Sequence, residues 1–132
     1  DVETLMAAMI TLNRTLGFVN APALFQKVVA ENLDVAVDTA FYQEKRDMLY
    51  NHITSVGFEC VKPEGAFYLF MKSPVEDDVA FCETAQKYNL LIVPGSGFGC
   101  PGYVRIAYCY DTAMIKRSLP AFTNLAKEYG LI

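Results

Sequence analysis

The sequence predicts a two-layer α/β (α+β) domain, a small mixed or antiparallel sheet of about four strands packed with helices. Three observations lead there. Apolar residues recur at helical spacing up to Val56. From Phe58 the period drops to two. Beyond Ser73, short apolar runs alternate with two further helical stretches. The order reads ααα-ββ-α-ββ-α, and 132 residues suit one domain.

Each element has its own local reason. Leu5, Met6, Met9, Ile10 and Leu12 place one apolar face on a helix from Val2 to about Thr15, punctuated by Gly17. Asn20 is a candidate N-cap for a second helix reaching Asn32, with Pro22 in its first turn and Leu24, Phe25, Val28 and Val29 as its stripe. A third helix is expected from Val35 to Val56. Val37, Phe41, Met48, Leu49, Ile53 and Val56 form its apolar side; Gln43, Glu44, Arg46 and Asp47 face water, and Gly57 follows its end. Phe58–Lys62 alternates and Pro63-Glu64-Gly65 turns. Ala66–Met71 is apolar on both faces, which predicts a hairpin whose second strand is central in the sheet.

Ser73-Pro74-Val75-Glu76 has capping-box spacing for a fourth helix, in which Asp77 and Asp78 complement the helix dipole and Phe81, Cys82, Ala85 and Tyr88 are buried. Leu90–Val93 and Tyr103–Tyr110 read as strands joined by a glycine-rich loop. Asp111 caps a last helix with the stripe Ile115, Leu119, Phe122, Ala126 and Tyr129. Pro120 predicts a kink or break there, Ser118 is a candidate local cap, and Gly130 marks the end.

Composition excludes several functions. Eleven basic and 15 acidic residues leave a net charge of −4, against the clustered Lys and Arg that nucleic acid requires. No apolar run approaches the roughly 20 residues of a membrane span. One histidine and four cysteines without C-x-x-C offer no zinc spacing, and the cysteines are expected reduced, mostly in the core, in a cytoplasmic protein. Asn13-Arg14-Thr15 matches a glycosylation sequon by chance on that reading. Asp1 in place of Met and a mean hydropathy of +0.22 lead us to expect a chain cut from a larger one.

Two features could carry chemistry. Gly97-x-Gly99-x-x-Gly102 satisfies G-x-G-x-x-G, but Pro101 lies inside it and a strand follows, where dinucleotide binding needs a helix N-terminus. The loop reads as a tight connection or as exposed backbone lying close to a ligand. Arg105 sits in mid-strand, sharing a face with Tyr103, Ala107 and Cys109, while Val104, Ile106, Tyr108 and Tyr110 take the other. A guanidinium among apolar neighbours needs a partner, either a carboxylate of the same chain, the plainer option, or one of a ligand. His52 reads as a packed edge residue, and Asp77 with Asp78 as helix-start acids rather than an acid–base pair.

Three ordered motifs then carry a resemblance: Lys62-Pro63-Glu64-Gly65-Ala66-Phe67-Tyr68-Leu69-Phe70, Val93-Pro94-Gly95-Ser96-Gly97-Phe98-Gly99, and Gly102-Tyr103-Val104-Arg105-Ile106-Ala107-Tyr108, with Ile115–Phe122 resembling a last helix. Together they resemble the class I/II aminotransferases, fold-type I enzymes dependent on pyridoxal phosphate, and the aspartate type in particular. The resemblance implies the C-terminal small domain over residues 35–132, preceded by an interdomain helical segment over 1–34. It implies that Arg105 binds the substrate α-carboxylate and that Ser96, Gly97 and Phe98 line the cleft, with Gly65–Tyr68 in a supporting strand. It also implies amino acid and 2-oxo acid substrates, a homodimeric parent and a large domain outside this segment. The Schiff-base lysine of the family lies in S-x-x-K, and no S-x-x-K occurs here. The chain alone is therefore expected to be inactive and to hold no cofactor, since that lysine is both tether and base. A stand-alone carboxylate-binding module and a fold-type I lyase or synthase are the alternatives.

Overall fold

The computed structural model describes residues 1–132, which fall into two compact units, Asp1–Val37 and Asp38–Ile132. The first consists of α1 (Val2–Thr15) and α2 (Ala23–Glu31). Asp1 starts α1 by accepting the Glu3 N–H at 3.0 Å. Asn20 is not the cap of α2; Pro22 directly precedes it, since its fixed φ and missing N–H suit that entry. The apolar stripes form as expected, but no residue of either helix is buried.

The second unit holds α3 (Thr39–Ser55), β1 (Tyr68–Lys72), α4 (Asp78–Gln86), β2 (Val93–Pro94), β3 (Tyr103–Ala107) and α5 (Thr112–Glu128). α3 starts four residues later than the periodicity suggests, because Asp38 accepts the Phe41 N–H and caps it there. Its buried side is narrower than expected: Leu49 and Ile53 are buried, whereas Val37 and Phe41 are exposed. Lys45 is buried instead, its ammonium donating to the Tyr110 carbonyl at 2.6 Å and lying 3.6 Å from the Phe41 ring centroid. Arg46 and Asp47 are half-buried and paired at 2.9 Å rather than turned to water, and Lys62 reaches the same Asp47 oxygen at 2.8 Å. Those two cations hold the Asp47 carboxyl below its ordinary range, the Arg46 hydrogen bond most.

The sheet has three antiparallel strands in the order β1-β3-β2, fewer than the four expected. Phe58–Lys62 does not form a strand; it touches the sheet through a single bridge, Cys60 to Met71. Pro63 lacks an N–H and Ala66 takes φ 59°, so the chain leaves the ladder between them. Ala66–Met71 is accordingly not central. β3 is, with Phe70 opposite Arg105 on one side and Val93 opposite it on the other. Only the end of Leu90–Val93 pairs, with Leu91 left exposed.

α4 begins later than the capping box implies. Asp77 is its cap, accepting from Val79 and Ala80, while Ser73 is buried and accepts from Val75. α5 follows its stripe closely: Asp111 caps it, Ile115, Phe122 and Ala126 are buried, and Gly130 takes φ 66°. It runs unbroken through Pro120, and Ser118 donates to the Ile115 carbonyl inside the helix instead of capping a break. Leu69, Met71, Val104 and Ile106 on one sheet face join residues of α3, α4 and α5 in one cluster, in which Phe81 meets Phe58 and Tyr129 edge-on. The four cysteines are free, but only Cys82 is in the core; Cys60 and Cys100 are half-buried and Cys109 is exposed. No helix is long and apolar enough to cross a membrane.

Candidate functional site

The other face of the sheet holds Arg105. Strand alternation buries Val104, Ile106 and Tyr108 and leaves Tyr103, Arg105 and Ala107 half-buried, as expected for those positions; Tyr110, beyond the end of β3, is exposed. The Arg105 side chain makes no ion pair and no hydrogen bond with any group of the chain: the four salt bridges present all lie elsewhere. Its partners are two aromatic rings. The guanidinium carbon lies 4.3 Å from the Tyr68 ring centroid and 4.0 Å from that of Phe98. Tyr68 comes from β1 on one flank of β3, and Phe98 from the turn that follows β2 on the other. A planar cation on a ring face is worth about 0.5–2 kcal/mol, depending on how far it is desolvated, and it leaves the in-plane N–H fork free. Such a fork matches a carboxylate in bidentate fashion.

Gly95–Phe98 is a single 3₁₀ turn, closed by Gly99 N–H to the Ser96 carbonyl and Cys100 N–H to that of Gly95. A Cβ on Gly95 would run into the backbone oxygens of Cys100 and Tyr103, so only glycine lets the turn sit this close to β3. Ser96, Gly97 and Phe98 are exposed beside Arg105. Of the three, Phe98 touches the guanidinium; neither Ser96 nor Gly97 hydrogen-bonds to it. Ser96 instead gives its backbone N–H to Asp78 Oδ2 at 2.8 Å.

Some groups around the site escape a reading of the sequence. Asp78 is buried and turned toward the turn, whereas a helix-start acid is ordinarily exposed. Tyr108 is buried and donates its hydroxyl to the Ala66 carbonyl at 2.9 Å, fixing the left-handed residue that leads to Tyr68. The signal for Tyr68 was present, since it lies two residues before the strand partner of Arg105 and so shares its face. His52 meets Thr123 at 3.0 Å between α3 and α5, consistent with a packed edge residue.

The profile of the family described as aminotransferase class I and II matches residues 6–122. The chain belongs to that family. It is similar to an aminotransferase from Eubacterium rectale, whose crystal structure superposes with a TM-score of 0.84 at 48% identity over 98% of this chain and 33% of that one. The aspartate aminotransferase of Thermotoga maritima is 31% identical over 108 residues, 81% of this chain and 28% of the relative. The aspartate aminotransferase of Thermus thermophilus with maleate superposes with a TM-score of 0.61 at 30% identity, over 64% of this chain and 22% of that one. The chain thus spans a third or less of the length of these relatives.

The lysines bear on the family's cofactor. Lys45 is buried against Tyr110 and Phe41, Lys62 is held by Asp47, Lys72 by Glu59 at 2.9 Å, and Lys87 lies 3.7 Å from Glu128. Lys116 and Lys127 are exposed on α5, and Lys27 is exposed on α2. None stands in a set that joins an amine, a carboxylate for a pyridine nitrogen and donors for a phosphate. The residues of this chain do not form a pyridoxal phosphate site by themselves.

Proposed function

We propose that the chain is the C-terminal small-domain portion of a pyridoxal-phosphate-dependent, homodimeric aminotransferase. Residues 35–132 form the small domain and 1–34 an interdomain helical segment. The intact enzyme moves an amino group between an amino acid and a 2-oxo acid. Arg105 grips the α-carboxylate, and Ser96, Gly97 and Phe98 line the cleft. One observation carries this reading: Arg105 is a half-buried guanidinium set between two rings with no carboxylate of its own chain. A cation so placed is stabilised when an anion binds, because an intramolecular partner need not be displaced first. The relative solved with maleate, a dicarboxylate, supports the same ligand chemistry. The cofactor supplies the electron sink for the reaction. The part of this chain is to bind and orient the substrate, and alone it is inactive.

The test is calorimetric titration with maleate of the full-length enzyme and of the chain alone. The enzyme binds, and Arg105→Ala weakens binding on the order of 10–100-fold, the value of a charge-assisted pair. The chain alone binds weakly or not at all. Equal affinity in Arg105→Ala removes Arg105 from the site, and tight binding by the isolated chain favours the stand-alone module.

A further inference from the structure

Asp78 is a buried carboxylate that its own helix does not need. Asp77 already caps α4 by accepting from Val79 and Ala80. Asp78, the first residue of the helix, is 4% exposed and directs Oδ2 out of the helix to the Ser96 N–H at 2.8 Å. Burying a carboxylate is costly, and a charge-assisted bond to a backbone N–H recovers part of that cost. The N–H it takes belongs to the 3₁₀ turn Gly95–Phe98.

That turn ends in Phe98, and the core does not hold Phe98. The ring is 49% exposed and lies outside the buried cluster and the half-buried residues packed on it. Its place 4.0 Å from the Arg105 guanidinium carbon is therefore set by the backbone of the turn. Gly95 seats the start of the turn against the Cys100 and Tyr103 carbonyls, and Asp78 ties down the next residue. Tyr68, the second ring, needs no such tie, because it is carried by a paired strand.

We infer that Asp78 is a positioning residue for Arg105: through the Ser96 N–H it fixes the Gly95–Phe98 turn and so holds the Phe98 ring on the guanidinium. An arginine left free samples many rotamers, whereas one held on two ring faces presents its fork in one orientation. The consequence for substrate rests on the carboxylate reading of Arg105 given above; the coupling of Asp78 to Arg105 does not.

The test reads the two separately. In the ¹⁵N-labelled chain, the Arg105 Nε–H proton lies in the ring current of Phe98 and Tyr68 and resonates upfield of other arginines. Asp78→Ala moves it downfield to about the same extent as Phe98→Leu, and the double variant moves it no further than Phe98→Leu alone. Asp78→Asn keeps an oxygen that accepts from Ser96 and leaves the resonance near its original position. In the full-length enzyme, Asp78→Ala raises KM for the amino acid on the order of tenfold with kcat little changed, as for lost uniform binding by a misplaced group, and Asp78→Asn restores it. An unmoved resonance in Asp78→Ala overturns the inference. Loss of fold in both Asp78→Ala and Asp78→Leu overturns it too, because Asp78 is then a residue of the core. If Arg105→Ala leaves KM unchanged while the resonance still follows Asp78, the positioning stands and the carboxylate reading is the part that fails.

Discussion

The two faces of β3 solve opposite problems with the same five residues of backbone. Val104 and Ile106 point into an apolar cluster fed by three helices. Tyr103, Arg105 and Ala107 point to a half-open face, where a cation rests on rings and no carboxylate answers it. One face gains stability from burial, at roughly 25 cal/mol per Å². The other keeps a hydrogen-bonding group unspent. A strand allows this because successive side chains alternate, so a perturbation on one face need not reach the other. If Arg105 takes a carboxylate as proposed above, stability and ligand binding are separable here by residue parity.

Substitutions in the core strain that separation most. Leu69→Ala and Phe122→Ala, at positions fully or almost fully buried, are expected to cost about 2–5 kcal/mol each in urea denaturation of the chain. They should leave maleate affinity of the folded enzyme nearly unchanged. A large affinity loss at full folding means that the faces communicate. Gly95→Ala acts on both sides. Its Cβ meets two carbonyl oxygens, so the turn must move, at about 1–3 kcal/mol, and KM should rise with it.

Thiol chemistry sharpens the contrast without changing stability. Burial pushes the Cys60 thiol up to about 12 and that of Cys82 up to about 11, whereas Cys109 is exposed. Alkylation near pH 8, followed by mass spectrometry, should modify Cys109 first and leave Cys60 and Cys82 as thiols. The smallest effect is expected at Asp47. Its folded pKa lies below the ordinary value of 3.8, so the pairing with Arg46 and Lys62 contributes above that value and is lost as pH falls through the lower folded one. Asp47→Asn should therefore lower stability slightly at neutral pH and flatten the acid limb of the stability–pH profile, so that the two proteins converge well below pH 3.8.

What the sequence disclosed follows the range of the interactions. The ends and stripe of α5 were legible nearly to the residue, because cap, periodicity and terminal glycine are local signals, although Pro120 does not break it as its chemistry suggests. The orientation of Arg105 was legible for the same reason, as strand alternation needs no partner. Strand order was not. Phe58–Lys62 has the pattern of a strand, yet it meets β1 only at Cys60 and Met71, past a turn in which Ala66 adopts a left-handed conformation. The partner β1 does take along its length is β3, far along the chain. The site's support was hidden in a similar way. Asp78 has a sufficient local explanation at a helix start, and only the folded chain brings it to Ser96. Lys45 has the reverse fault: a charged residue among apolar stripe positions reads as solvated, and a single carbonyl beyond β3 makes its burial tolerable.

The central claim is that Arg105 is held for a carboxylate from outside the chain and contributes nothing needed by the fold. It is tested most directly by measuring Arg105→Ala twice, as a melting temperature of the chain and as KM for the amino acid in the full-length enzyme. Expected are a melting temperature lowered by no more than the several degrees that the two ring contacts are worth, and a KM raised on the order of 10–100-fold. A melting temperature lowered far beyond that, with an unchanged KM, would contradict the claim and make Arg105 a structural residue.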